Sequence, residues 1–475
     1  MSAPNCLRGC LVQRPAGGAA ATLLRHSTVM PATAAHFSTS TPLHGNMMKP
    51  QKPGPKSKVL LVAKQWKKGK VADRGGKSPL PGERKAFRKR ILLSNNNALP
   101  VEGLTYIGPG DLLDHKNVGK VMSIPDAAVD QLRTAEVFKP TQTWSIFRKP
   151  SMLVRSETVD LLNRMHTALG KEKALRLVIA GDRITGKSML LLQAITHAYL
   201  NDYIVIHIPE AQELSIGATE YAPVPHSDPV QFMQPNYVLK LIQAIRKANE
   251  KLLAKMTTIY SHPDLPQNIP VSSPLLALAN SAKEPESAWI VFRALFQELT
   301  VKGHGRPPIL FSLDGLAHIM KMSEYRTAAF EPIHSHDLAL VRLFTDCLSG
   351  AVSLPNGGAV LAAMTRGNAP RVPSLDLALS RRAAEQAGRH KNQLPQRPAF
   401  AKDYDDRVEA VLQTVELLQL QGVSKPEARS LMEYWAASGV LRSLIDEATV
   451  SEKWTLAGNG IVGEMERAAL LTSRF

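Results

Sequence analysis

Short unbroken apolar runs alternate with helix-period segments along most of this chain, and that alternation predicts an α/β body. The runs at 177–180, 203–209, 308–314 and 358–366 are brief and almost continuously hydrophobic. Runs of this kind are buried on both faces of a parallel sheet. Helical spacing predicts helices near 126–136 and 156–168, after residue 187, over 237–256 and 286–301, and over 375–388, 404–421 and 425–437. Ser424-Lys425-Pro426-Glu427 has the form of a capped helix start. Prolines at 223, 225, 229 and 235, and again at 263, 266, 270 and 274, mark two irregular insertions. Asn95–Asn97 and Pro100 read as a linker. The pattern divides the chain into a lead-in segment (101–165), a nucleotide-type α/β domain (166–374) and a helical or winged-helix-like C-terminal domain (375–475). Winged helices serve either as packing modules or as nucleic-acid binders, and packing is the reading preferred here.

Charge changes the picture at the N-terminus. The net charge of +17 is concentrated in residues 1–90, which carry 18 Lys/Arg against two acids. The other 385 residues hold 40 Lys/Arg and 39 acids. An almost neutral body with a basic arm points to a polyanionic partner. Residues 1–40 contain Arg8, Arg14 and Arg25, no acid, and many Ala, Ser and Thr. That composition predicts a mitochondrial transit peptide with processing near Phe37. The basic extension, 41–100, includes Lys64, Lys67, Lys68, Lys70, Arg84, Lys85, Arg88, Lys89 and Arg90 among prolines and glycines. Such a segment does not fold alone and suits the phosphate backbone of RNA. Of three cysteines, Cys6 and Cys10 fall in the transit segment, leaving Cys347. No disulfide framework or cysteine metal site follows, and no apolar run reaches the length of a membrane span.

The candidate chemistry lies at 181–188. Gly181-Asp182-Arg183-Ile184-Thr185-Gly186-Lys187-Ser188 follows an apolar strand and opens a leucine-rich helix, which is a P-loop in its strand–loop–helix setting. Backbone N–H groups at the helix start face phosphates. Lys187 is placed to neutralise them, and Ser188 to ligate Mg²⁺. Asp314 ends an apolar strand in the manner of a Walker B carboxylate and would order the same Mg²⁺. Thr365 and Arg366 end the 358–366 strand. They either approach the γ-phosphate or are plain surface polarity. Glu210, after the second strand, either polarises a water or simply caps the next helix, and capping is preferred.

GDRITGKS at 181–188, IVIHIPEA at 204–211 and ILFSLDGLAHIM at 309–320 together resemble the death-associated protein 3 family of mitochondrial small-subunit ribosomal proteins. The run Lys453-Trp454-Thr455-Leu456-Ala457-Gly458-Asn459-Gly460 resembles that family's ending. The resemblance covers roughly residues 105–475. It implies a P-loop fold related to AAA+ and STAND NTPases, a place in the small-subunit head, and a bound purine nucleotide with Mg²⁺. The nucleotide is usually guanine (GTP or GDP), with ATP left open because no Asn-Lys-x-Asp guanine motif occurs. It also implies rRNA and other small-subunit proteins as partners, in the mitochondrial matrix, and leaves contact with the large subunit open. Two departures stand out. Ile184 replaces a third loop glycine, and Gly315 follows Asp314 where active AAA+ enzymes carry glutamate. Both favour holding a nucleotide over consuming one. The alternative is an active AAA+/STAND NTPase that remodels a partner, with Arg342 or Arg366 as nominal arginine finger. The family name also suggests an apoptotic switch, on which these residues are silent.

Overall fold

The computed structural model describes residues 91–390, 393–398, 400 and 404–471. The transit segment and the nine arm cations named above lie outside the described residues. In chain order, the first main elements are α1 (Asp126–Thr134), α2 (Ser156–Gly170), β1 (Ala174–Gly181), α3 (Lys187–Leu200), β2 (Ile204–Ile208) and α4 (Pro235–Ala248). Next come α5 (Pro285–Leu299), β3 (Ile309–Asp314), α6 (Ala339–Ser349), β4 (Gly358–Ala363) and α7 (Pro373–Gln386). The last are α8 (Asp406–Leu412), β5 (Glu416–Leu420), α9 (Lys425–Ala437), α10 (Glu447–Leu456) and α11 (Val462–Glu466).

The five strands form one parallel sheet in the order β5-β1-β4-β3-β2. Alternate side chains of a strand face opposite ways, and both faces of this sheet are covered. Val178 and Ala180 of β1 join a core with α4 to α8, whereas Leu175, Leu177 and Ile179 join one with α1, α2 and α3. The apolar runs are continuous for this reason. No helix among the described residues is long and apolar enough to cross a membrane.

Five sequence expectations change, the last of them helix 237–256. Helix 404–421 is instead α8 followed by β5, whose Leu418 pairs in register with Ile179 of β1. The five residues Glu416–Leu420, three of them leucines, are too few for their period to separate strand from helix, and the open edge of β1 decides it. The sheet and its helices therefore extend past the expected boundary at 374, to Leu420. After Leu420 the described residues hold helices and no strand, so the winged-helix form gives way to the helical one. These helices build a third core that also takes Phe147 and Leu153 from the lead-in. Ser424 and Glu427 form the expected capping box, and Glu427 also accepts from the Ser156 backbone N–H at 3.1 Å. The linker at 95–97 is docked: Asn95 N–H donates to the Phe147 carbonyl at 2.9 Å.

The expected helix 237–256 ends at Ala248 and resumes as Glu250–Lys255. Between the two pieces, Asn249 is 2% exposed and turns its amide onto the edge strand β2. It accepts from Val205 N–H at 3.0 Å and donates to the Val205 carbonyl at 3.0 Å. An edge strand needs its outward backbone groups satisfied. Asn249→Ala leaves them buried and unpaired, and is expected to lower stability by about 1–3 kcal/mol. Urea unfolding tests this through a reduced midpoint at unchanged slope.

Candidate phosphate-binding site

Because the five strands of this sheet are all parallel, the loop after β1, Glu210 after β2, Asp314 of β3, Thr365 after β4 and Gln421 after β5 share one edge of the sheet. The crevice outside the carboxyl ends of such strands is where α/β sheets bind ligands. α3 starts from Gly186 with no side-chain cap, which leaves its first N–H groups directed into that crevice. Thr185 Oγ1 donates to the Asp182 carbonyl at 3.0 Å and tightens the turn. Asp182 and Arg183 are exposed, and Ser188 is half-buried at the second position of α3.

Lys187 is buried, and its Nζ lies within the loop. It donates to the carbonyls of Gly181, at 3.1 Å, and Asp182. Burial first, then repulsion from Arg366, pulls its ammonium down to about 8, against attraction from Asp182 and Asp314. Ile184 sits at φ +54°, an unfavourable conformation for a β-branched residue. Two residues from outside hold the loop there. Arg155, 6% exposed, donates from Nη1 to the Thr185 carbonyl at 2.9 Å and from Nη2 to the Gln421 carbonyl at 2.8 Å. It also pairs with Glu157 at 2.8 Å. The Gly463 N–H of α11 donates to the Ile184 carbonyl at 3.1 Å.

Asp314 is 4% exposed, and both its carboxylate oxygens are engaged. Thr365 Oγ1 donates to Oδ1 at 3.4 Å, and Lys139 Nζ lies 3.0 Å from Oδ2. Lys139 also donates to the Pro209 carbonyl. Asp314, expected from the sequence to order a magnesium shell, is thus paired with an ammonium that the sequence pattern did not suggest. Gly315 lies at φ +95°, so its backbone, as well as its missing side chain, is unsuited to a glutamate.

The remaining candidates separate. Glu210 does not cap the next helix, whose N-cap is Ala211 without a side-chain bond. Its neighbour Ala211 donates to the Asp314 backbone carbonyl at 3.0 Å, which fixes this segment beside β3. Arg366 pairs with Asp376 at 3.6 Å, and Arg342 with Asp346 of its own helix at 3.3 Å. His207 of the HIPEA run bonds Ser312 on β3 at 2.9 Å. Burial lowers its pKa to about 3, so it is a neutral strand-to-strand tie. The sequence reading missed Lys139, Arg155 and Gly463, because all three reach the site through long-range contacts that carry no local pattern.

Residues 152–468 match the family model described as mitochondrial ribosomal death-associated protein 3. The chain is 58% identical to small ribosomal subunit protein mS29 of Neurospora crassa, over the full length of both chains. It is 24% identical to small ribosomal subunit protein mS29 of Schizosaccharomyces pombe, over 75% of this chain and 72% of that protein. The matched span takes in the whole sheet, the 181–188 loop, Asp314 and all of α11. This chain belongs to the mitochondrial ribosomal death-associated protein 3 family.

Proposed function

We propose that this protein holds a purine nucleotide in the 181–188 loop as a stabilising ligand and turns it over slowly or not at all. Its setting is the mitochondrial ribosome, where it is a structural component of the small subunit. GTP or GDP is the expected nucleotide, with ATP open. The observation that carries the reading is the anchoring of the loop from both sides. Arg155 ties it to the segment after β5, and Gly463 ties it to the C-terminal helices. A nucleotide seated there would bridge the sheet and the C-terminal core, and binding to the folded state stabilises it by mass action. The slow turnover follows from Gly315, since no carboxylate after β3 is placed to orient water. The basic arm would contact rRNA through its phosphates.

Equilibrium binding and single-turnover hydrolysis of labelled GTP on the full chain test this. Stoichiometric binding with no burst of product is expected. Rapid hydrolysis that falls in Glu210→Gln would instead make this an active NTPase, with Glu210 as its water-orienting base.

A further inference from the structure

We propose that Lys139 is a built-in counter-cation of the phosphate site, so that this protein retains nucleotide without a divalent metal ion. The inference rests on the nucleotide reading above and concerns how the site balances charge. Lys139 follows α1, far from the loop in sequence, yet its ammonium lies 3.0 Å from Asp314. Its side chain is 17% exposed and that of Asp314 4%, so water screens the pair little. The Pro209 carbonyl holds the ammonium from the side of β2.

The placement comes from the backbone as much as from the side chain. Lys139 N–H donates to Gln142 Oε1 at 2.8 Å, and Trp144 Nε1 donates to the same oxygen at 2.6 Å. Gln142 Nε2 reaches Met189 Sδ on α3 at 3.2 Å. Phe138 packs edge-on against Trp144 with centroids 5.2 Å apart. The turn that presents Lys139 is thus fastened to the helix that carries Lys187 and Ser188.

Two consequences follow for a nucleoside di- or triphosphate. With Asp314 paired to Lys139, the strand-end carboxylate no longer repels the phosphates, and Lys187, whose bonds go only to carbonyls and a hydroxyl, is left to meet them. A magnesium ion seeking the shell of Asp314 meets an ammonium there, and like charges repel at short range.

The test is equilibrium binding of fluorescent GDP and GTP to the full-length chain, in millimolar magnesium and in EDTA. The wild-type affinity is expected to differ by less than about threefold between the two, whereas Lys139→Gln loses about tenfold or more in EDTA. Lys139→Arg keeps the charge and is expected to behave as wild type, which separates charge from folding. A wild-type affinity that collapses by about a hundredfold in EDTA overturns the proposal while leaving nucleotide binding intact. Equal magnesium dependence in wild type and Lys139→Gln also overturns it. Absence of binding in both buffers overturns the nucleotide reading and this inference with it.

Discussion

Lys187→Ala is expected to weaken nucleotide binding by about a hundredfold or more, because charge-assisted bonds to phosphate contribute about 1.5–3 kcal/mol each. The pH dependence distinguishes this residue from the other cations. In the free protein its ammonium is drawn down to about 8, whereas contact with phosphate favours the charged form. Binding above that pH therefore takes up a proton. Affinity should hold below pH 8 and fall about tenfold for each unit above it, a slope that Lys187→Ala lacks. The sign is opposite for the stability of the free protein. The unfolded lysine keeps its proton up to its ordinary value of 10.5. Between 8 and 10.5 the unfolded chain therefore binds more protons, and this group's contribution to stability rises with pH. Lys187→Met, which removes a buried cation, should accordingly not lower the melting temperature of the nucleotide-free protein at neutral pH. Loss of binding without loss of fold is the expected pair of results.

Gly463→Val has the second large effect. A Cβ at Gly463 would lie 2.8 Å from the Cβ of Ile184 and 2.9 Å from its Cδ1, so a branched side chain there forces α11 away from the loop. Overpacking of this kind costs about 1–3 kcal/mol, and the bond from Gly463 N–H to the Ile184 carbonyl is lost with it. Ile184 then loses the contact that holds its left-handed backbone, itself a strain of about 1–2 kcal/mol. The variant should melt earlier and bind nucleotide more weakly. Adding Ile184→Gly removes both the clash and the strain, and should recover much of the stability. Additive losses in a thermal double-mutant cycle would show that loop and helix do not communicate.

The strand–loop–helix form around 181–188 was legible because it is local. A buried strand, a phosphate-type turn and a leucine-rich helix occur in immediate succession, and Asp314 ends a short apolar run preceded by prolines. The capping box at Ser424 was readable for the same reason. Residues 416–420 were not, because a short leucine-rich run becomes a strand only when a neighbour's edge is free. Asn249 inside a helical pattern gave no local sign that its amide would satisfy an edge strand 44 residues away. Arg155 and Lys139 stand in no local motif. Their roles arise once the lead-in packs beside the sheet and leaves Arg155 buried against two carbonyls and Lys139 half-buried against a carboxylate. Ile184 lies between these cases. Its departure from glycine was visible in the sequence, but the glycine at 463 that accommodates it lies almost at the other end of the chain.

A nucleotide resident in the 181–188 loop should be present in the assembled mitochondrial small subunit. Mass spectrometry of nucleotide released from isolated small subunits tests it most directly, with wild-type subunits compared against subunits that have incorporated Lys187→Ala. One purine nucleotide per copy of this protein is expected in the wild type, with guanine as its base, and none in the variant. Equal nucleotide content in both, or none in the wild type, would contradict it.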